Sequence, residues 1–277
     1  MMKNKYVPIL EYLKKEKLFD FGAYQVGMLE RRIENRMMKT GIKTLENYLF
    51  YLQNNLDEPA LLIDNFRIHV SEFFRDSLCF EILSKEILEK IIFEKQQKED
   101  KSLRVWSAGC SYGEEAYSLA MLLNELKLKE KTAINIQIFA TDVDKEAVRI
   151  AGLGAYANES MYNVKVGLFK KYFTEKDGKH FIVPEIKKMV QFSVYDLLDS
   201  HSYAPSESVF GDFDLILCRN VLIYFKLEHQ THIFSKLYKS LKTNGILMLG
   251  EAETPINHYV NKFKNISNNC KIFKKIQ

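Results

Sequence analysis

Hydrophobic residues in the first 65 positions recur every three or four places, which is the spacing of one face of an α-helix. Gly41 is a typical residue for ending a helix, and Thr44 is a typical cap for the start of the next one. We therefore predict an all-helical domain over residues 1–65. The polar positions of one predicted helix form a basic ridge of Arg31, Arg32 and Arg36, which is either a solvent-exposed face or a docking surface for an acidic helical partner.

Beyond residue 98 the pattern changes to short apolar runs that alternate with amphipathic helices. The segment Leu103–Leu123 begins as a strand-like run, breaks at Gly109 and Gly113, and continues with apolar residues at helical spacing. Strand, glycine turn and helix in this order are typical of the ligand-binding edge of a doubly wound α/β sheet. Other strands are predicted at residues 136–140, 190–194, 213–217, 246–249 and 271–273. The expected fold class is α/β, with a doubly wound, mostly parallel, Rossmann-like sheet over residues 99–277.

Two segments depart from this alternation. Residues 155–190 contain Asp177 and Gly178 between strand-like runs, which is a hairpin signal, so we expect an inserted antiparallel β-subdomain there. Such an insert either contacts a partner or serves packing alone. Residues 66–98 begin as an alternating, extended run and continue as a helix. Their motif SEFFRD, residues 71–76, is either a linker whose phenylalanines pack on the next domain or a ligand clamp.

The glycine turn is expected to bind a ligand other than a dinucleotide. Dinucleotide folds use the spacing G-x-G-x-x-G, whereas the glycines here stand at G-x-x-x-G and Glu114 and Glu115 open the helix. Two carboxylates repel a phosphate but suit a ligand with hydroxyls, an amine and a cationic centre, such as S-adenosylmethionine (SAM). The alternative is a glycine turn without a ligand in an unrelated α/β protein. Either Asp142 or Asp144, after the second strand, can hold ribose hydroxyls while the other caps a helix.

Polar side chains also follow two later strands of the predicted sheet. Asp196 follows one of them, where it either reads an adenine edge or caps a helix. Arg219 and Asn220 follow the other and are therefore expected at the ligand-binding edge. His229 and His232 stand three residues apart without a third ligand nearby, so we interpret them as surface residues and expect no metal site.

Composition and charge narrow the possible function classes. With 47% hydrophobic residues among 277, the chain can hold one large domain, alone or with a small one. Its 40 basic and 36 acidic residues give a net charge of +4, so no nucleic-acid partner is expected. No apolar run is long enough to span a bilayer, and the first residues lack the apolar core of a signal peptide, so no membrane insertion is expected. Four widely spaced cysteines without a C-x-x-C pair are then expected to be reduced thiols of a cytoplasmic protein.

Five motifs in fixed order resemble the CheR-type chemotaxis receptor glutamate O-methyltransferases. These motifs are SEFFRD, RVWSAGCSYGEEAYSLAM, IFATDVD, VYDLL and CRNVLIYF, and the resemblance runs from about Phe21 to the C-terminus. It implies the class I fold of SAM-dependent methyltransferases, with a small helical N-terminal domain. It also implies methyl transfer from SAM to glutamate γ-carboxylates of chemotaxis receptors, with S-adenosylhomocysteine as the second product.

The resemblance implies roles for individual residues. Arg75 would lie beside the methyl donor and Tyr224 would face the reacting centre, so these two are the predicted catalytic residues. His69 stands where the family often has Asn, and Glu115 is favoured over Glu114 as a ligand of the cofactor. The predicted cofactor-binding residues are His69, Ser71, Arg75, Gly109, Glu115, Asp142, Asp196, Leu197, Arg219 and Asn220.

For partners, the resemblance implies that the helical domain docks through its basic ridge on the methylated helices of the receptor. Some family members also grip a C-terminal receptor pentapeptide by strand addition, using a longer, glycine-rich hairpin. The hairpin tip here is only Glu175–Lys179, so recognition without the pentapeptide is expected.

Methyl transfer to a carboxylate needs no general base, because glutamate, with a reference pKa of about 4.3, is already ionised near neutral pH. Three other functions stay open on the sequence. The chain could be a SAM-dependent methyltransferase for another carboxylate or a small molecule, a non-catalytic SAM-binding signalling module, or a nicotinamide oxidoreductase. The missing G-x-G-x-x-G motif counts against the last of these.

Overall fold

The chain divides into two compact units. The computed structural model describes residues 5–17, 21–66, 71–99, 101–209 and 211–276. The first unit consists of residues up to 68 together with Ile223–His229, and the second consists of residues 69–222 and 230–277. No local signal in the sequence indicates that residues 223–229 return to the first unit.

The first unit is helical, as the hydrophobic spacing predicts. Its helices are α1 (Val7–Lys17), α2 (Val26–Thr40), α3 (Leu45–Asn54) and α4 (Glu58–Phe66). Helix α2 ends at Gly41, whose φ of 71° is a left-handed conformation that glycine adopts without strain. Helix α3 begins after Thr44, whose hydroxyl oxygen accepts the N–H of Asn47. Because α4 continues to Phe66, the expected extended run does not begin there, and residues 67–70 lie outside the described residues.

A buried carboxylate, Glu58, binds one arginine of the predicted basic ridge. Arg36 donates from Nε to Glu58 Oε1 (3.0 Å) and from Nη2 to Oε2 (2.5 Å), and the Tyr48 hydroxyl donates to Oε1 (2.7 Å). Arg32 is half-buried and Arg31 is exposed. Arg36 therefore neutralises a charge inside its own unit, and the prediction of a three-arginine ridge is wrong at this position.

The second unit alternates strands and helices along the chain. The strands are β1 (Ser102–Ala108), β2 (Asn135–Asp142), β3 (Ala155–Tyr156), β4 (Phe173–Lys176), β5 (Lys179–Ile182), β6 (Val190–Val194), β7 (Phe213–Cys218), β8 (Leu241–Leu249), β9 (Phe263–Asn265) and β10 (Ile272–Lys275). The helices after residue 76 are α5 (Ser77–Ile82), α6 (Glu89–Gln96), α7 (Glu114–Lys129), α8 (Lys145–Leu153), α9 (Val166–Tyr172), α10 (Pro184–Lys187) and α11 (Leu227–Ser240). A π-helical segment, Leu83–Leu88, joins α5 to α6.

The main sheet has seven strands in the order β6-β2-β1-β7-β8-β10-β9. The pairs β6–β2, β2–β1, β1–β7 and β7–β8 are parallel, and β10 is antiparallel to both of its neighbours. The chain order reverses between β1 and β7, so the carboxyl ends of these two strands border the crevice where doubly wound folds bind ligands. The predicted α/β fold class is confirmed.

Strands β3, β5 and β4 form the predicted antiparallel insert. Its hairpin turns at Asp177 and Gly178, whose φ values of 51° and 70° are both left-handed. Consecutive left-handed residues match the twist of a two-residue hairpin, which explains the strength of the Asp-Gly signal.

Cys79 in α5 and Cys270 before β10 form a disulfide bond, with their Cα atoms 5.7 Å apart. The expectation of four reduced thiols is therefore wrong for this pair, because two positions 191 residues apart in sequence are neighbours in the fold. Cys110 and Cys218 are free and buried. Among the described residues, no helix combines the length and the hydrophobicity needed to cross a membrane.

Candidate functional site

The turn between β1 and α7 requires glycine at both predicted positions. Gly109 has a φ of 80° and Gly113 a φ of 92°, conformations in which a side chain is strained. A Cβ atom at Gly109 would lie 2.4 Å from Cγ2 of Val221, and one at Gly113 would lie 3.0 Å from Cβ of Ala151 and from Cζ of Phe192. The turn therefore packs with its bare backbone against the loop that follows β7 at Gly109, and against α8 and β6 at Gly113.

Asp142 and Asp144 have different roles at the end of β2. Asp144 caps α8, since its Oδ1 accepts the N–H groups of Glu146 (2.8 Å) and Ala147 (3.4 Å). Asp142 is the last residue of β2. Its Oδ2 accepts the N–H of Ser111 in the glycine turn (2.9 Å), and its Oδ1 accepts the N–H of Asp144 (3.0 Å). A carboxylate has about four acceptor positions, so Asp142 retains acceptor capacity at the sheet edge.

Arg219, the first residue after β7, connects three of the predicted motifs. Its guanidinium donates from Nη1 to Glu115 Oε2 (3.3 Å), and from Nη2 to Asp76 Oδ2 (2.5 Å) and the carbonyl oxygen of Arg75 (3.0 Å). The hydroxyl of Ser107 donates to the other oxygen of Glu115 (2.8 Å). Only 2% of the Arg219 side chain is exposed, so its guanidinium is shielded from water, whereas 39% of the Asp76 side chain is exposed. We call these five residues the Arg219 cluster.

In the motif SEFFRD the two phenylalanines pack on neighbouring elements, and Arg75 follows them in the chain. The ring of Phe73 is fully buried and lies 4.8 Å from that of Tyr156 in the insert. The backbone N–H of Phe74 donates to the Ser118 hydroxyl of α7 (2.9 Å). Phe74 has a φ of 53°, so a strained turn, held by its neighbours, precedes Arg75. The packing interpretation is confirmed for Phe73, and the ligand clamp stays a prediction.

The two carboxylates that open α7 lie in different environments. Glu114 is 3% exposed, and burial raises its pKa to about 7, although a hydrogen bond with Ser71 lowers the pKa. Within the part of the chain that the structure describes, Oε2 of Glu114 has no hydrogen-bond partner. Glu115 is half-buried and belongs to the Arg219 cluster. The preference for Glu115 as a cofactor ligand stays a prediction.

The loop after β6 begins beside the end of β2. The N–H of Tyr195 donates to the carbonyl oxygen of Asp142 (3.0 Å), and the buried amine of Lys236 in α11 donates to the Tyr195 hydroxyl (3.0 Å). Asp196 is exposed, with Oδ1 accepting the N–H of Leu198 (2.8 Å), while Leu197 is buried. The predicted adenine-reading position thus lies next to the predicted ribose ligand.

The roles of two further predicted residues, Tyr224 and His69, stay predictions. Tyr224 belongs to the first unit, where its carbonyl oxygen accepts the N–H of Gln25 (2.8 Å), and His69 lies outside the described residues. Two residues that bind the site loops were missed in the sequence. Asp76 stands next to Arg75 in its motif, and Glu253 follows the carboxyl end of β8, which is a position that could have indicated it.

The chemistry of these side chains fits SAM. Ionised carboxylates accept hydrogen bonds and donate none, so Glu115 and Asp142 suit an ammonium group and hydroxyls. A pyrophosphate is itself an acceptor and an anion, and these carboxylates would repel it.

Comparison with known proteins agrees with this chemistry. The family model of the CheR methyltransferase SAM-binding domain matches residues 69–272, and that of the CheR methyltransferase all-alpha domain matches residues 5–66. A chemotaxis protein methyltransferase of Borreliella burgdorferi is 33% identical over 230 residues, covering 82% of this chain and 80% of that protein. One from Listeria innocua is 31% identical over 260 residues, covering 92% of each.

A longer relative contains a similar segment. An uncharacterized 104.1 kDa protein of Rhodobacter capsulatus is 34% identical over 245 residues. These residues are 88% of this chain but 25% of that protein, so the chain spans about a quarter of the length of this relative.

Proposed function

Because this chain belongs to the CheR methyltransferase family, we propose that it transfers the methyl group of SAM to glutamate side chains of chemotaxis receptors. Membership of the family makes the chain a SAM-dependent methyltransferase. The observation that supports the proposal most is the Arg219 cluster. It joins Arg75, Glu115 and Arg219, which come from three separate motifs, at the carboxyl ends of β1 and β7.

In this proposal, side chains at the sheet edge bind different parts of the cofactor. Bound SAM supplies an electrophilic methyl group on its sulfonium. Asp142 accepts hydrogen bonds from the ribose hydroxyls, as the acid after the second strand does in related sheet architectures. Glu115, held in place by Arg219, accepts hydrogen bonds from the amino group. The other proposed contacts are Ser71, Gly109, Asp196, Leu197 and Asn220.

Methyl transfer to glutamate requires alignment rather than a base. The accepting carboxylate is ionised near neutral pH, and alignment of two reactants contributes roughly 7–11 kcal/mol. Arg75 is proposed to orient that carboxylate by charge-assisted hydrogen bonds. The Arg75 side chain is half-buried. Its backbone carbonyl oxygen accepts a hydrogen bond from Arg219, which fixes the backbone that carries this side chain. Tyr224 and His69 keep their proposed roles on the resemblance alone.

For receptor docking, we propose the helical first unit as the contact, with the exposed Arg31 and the half-buried Arg32 as cations of its surface. Arg36 is excluded from this role because it binds Glu58. The short hairpin tip, Glu175–Lys179, supports recognition that does not need a receptor pentapeptide.

The test is incubation of the full chain with tritiated SAM and receptor cytoplasmic fragments. Base-labile label is expected, because methyl esters hydrolyse in base, and a fragment with Gln at the accepting glutamates is the control. Label that survives base would assign a different acceptor. Failure to label any receptor fragment, by a protein that binds SAM, would contradict the receptor as substrate.

A further inference from the structure

A buried carboxylate outside the predicted site holds the loop that carries Arg219 and Asn220. Glu253 is 4% exposed. Among the described residues, at least four backbone N–H groups donate to its two oxygens. Oε1 accepts those of Val221 (2.9 Å) and Leu222 (2.8 Å), and Oε2 accepts those of Asn220 (2.9 Å) and Gly250 (2.7 Å).

These contacts explain how the loop keeps an unusual conformation. Asn220 has a φ of 57°, a left-handed conformation that costs free energy unless the surroundings enforce it. Three successive N–H groups, from Asn220 to Leu222, converge on one anion, as in the backbone nests that bind anions elsewhere. The carboxylate of Glu253 takes the place of such an anion, so the loop conformation is enforced from the side of β8.

Gly250, the residue that follows β8, is small enough to allow the contact between Glu253 and this loop. A Cβ atom at Gly250 would lie 2.7 Å from the backbone nitrogen of Asn220 and 2.8 Å from Oε2 of Glu253. Glycine therefore lets the loop after β8 approach the loop after β7 closely enough for Glu253 to reach its backbone.

The buried charges in this region have separate partners. The guanidinium of Arg219 binds Glu115 and Asp76, whereas Glu253 binds backbone N–H groups of the same loop. The loop after β7 is thus fixed at two points. The side chain of Arg219 binds Glu115 and Asp76, and backbone N–H groups of the loop bind Glu253.

We propose that Glu253 is a positioning residue for SAM binding, which holds Arg219 and Asn220 in the conformation that receives the cofactor. This inference rests on the proposed function, because it takes the loop after β7 as a border of the SAM site. Glu253 itself acts through the backbone, so it is a positioning residue and not a catalytic one.

An isosteric substitution tests this role sharply. In Glu253→Gln one oxygen becomes an NH₂ group. Each oxygen of Glu253 accepts at least two N–H groups, so the NH₂ group faces at least two donors in either orientation. Glu251→Gln makes the same change of charge at an exposed position two residues away and is the matched control.

Three measurements on the full chain distinguish positioning from a general loss of stability. We expect Glu253→Gln to weaken SAM binding by roughly tenfold or more in calorimetry, as loss of hydrogen bonds to a charged group does. The KM for SAM should rise more than kcat falls, whereas partial unfolding would lower kcat alone. In the wild-type protein without SAM, the amide protons of Asn220, Val221 and Leu222 should exchange slowly.

Each contrary result has a distinct meaning. Equal SAM affinity of Glu253→Gln and Glu251→Gln, in a protein whose wild type binds SAM, would overturn the role of Glu253 and leave the proposed function intact. A wild-type protein that does not bind SAM would overturn both. If Glu253→Gln does not fold, rapid exchange of the three wild-type amides would overturn the proposal, and slow exchange would support it.

Discussion

At the scale of single residues, Arg75 contributes to the site through two separable parts. Its carbonyl oxygen accepts a hydrogen bond from Arg219, and its half-buried side chain is the proposed orienting group. Arg75→Ala keeps the carbonyl, so we expect a folded protein whose methyl transfer falls by about 100-fold or more. Tritium transfer measures turnover, and thermal unfolding checks the fold. Arg149→Ala, which removes an exposed arginine paired with Glu146, is the control, and normal turnover of the Arg75 variant would remove Arg75 from the mechanism.

The buried carboxylate of Glu114 makes the free energy of unfolding depend on pH. Burial raises its pKa to about 7 in the folded state, from an ordinary value of 4.5. Between these pH values the folded chain holds a proton that the unfolded chain has released, so this contribution to stability falls as the pH rises and levels off above pH 7. The ionised form of Glu114 thus destabilises the folded state relative to the protonated form.

Glu114→Gln resembles the protonated form, so its advantage over wild type should grow with pH. We expect this advantage in unfolding free energy to increase by up to about 3 kcal/mol between pH 5 and pH 8. Urea unfolding at both pH values measures it, with Glu251→Gln as the exposed control. An advantage of the same size at the two pH values would show that Glu114 does not titrate in this range.

At the scale of elements, the turn between β1 and α7 determines how closely the loop after β7 can approach. Gly109→Ala places a methyl group 2.4 Å from Val221 and a side chain at a φ of 80°. We expect a loss of about 1–3 kcal/mol in unfolding free energy, together with weaker SAM binding, since the displaced loop carries Arg219. Denaturant unfolding and calorimetry measure the two effects.

Two further variants separate the causes of this loss. Gly167→Ala in α9 should be neutral or slightly stabilising, because the added methyl group has no atom within 4 Å apart from its chain neighbours and the backbone of its own helix. Gly109→Ala combined with Val221→Ala removes the contact but keeps the strained backbone, so its stability should recover in part. Complete recovery would show that backbone strain contributes nothing.

At the scale of the whole molecule, one covalent bond ties the beginning of the second unit to its end. Cys79 lies shortly after Arg75, and Cys270 precedes β10. In denaturant without reductant we expect two reactive thiols per chain, from Cys110 and Cys218, and four after reduction. Replacing both bonded cysteines with serine should lower the free energy of unfolding by about 2–4 kcal/mol. Four reactive thiols before reduction would contradict the disulfide.

Much of the fold was predictable because its signals are local. The strand predicted at residues 136–140 lies within β2, and the Asp-Gly hairpin and the Gly41 and Thr44 helix ends occur where expected. Arg36 was misjudged for the opposite reason. Its partner, Glu58, is 22 residues away on another helix, and no periodicity within α2 indicates that pairing.

By itself, the sequence determined the order of helices and strands and the polar residues that end up at one sheet edge, because periodicity and turn chemistry act within a few residues. The tertiary structure alone decided which charges meet. Arg219 binds Glu115 and Asp76, more than 100 residues before it, and Glu253 binds a loop more than 30 residues before it. A buried charge takes whichever partner the folded backbone brings within hydrogen-bond distance, and that distance depends on the packing of the whole sheet.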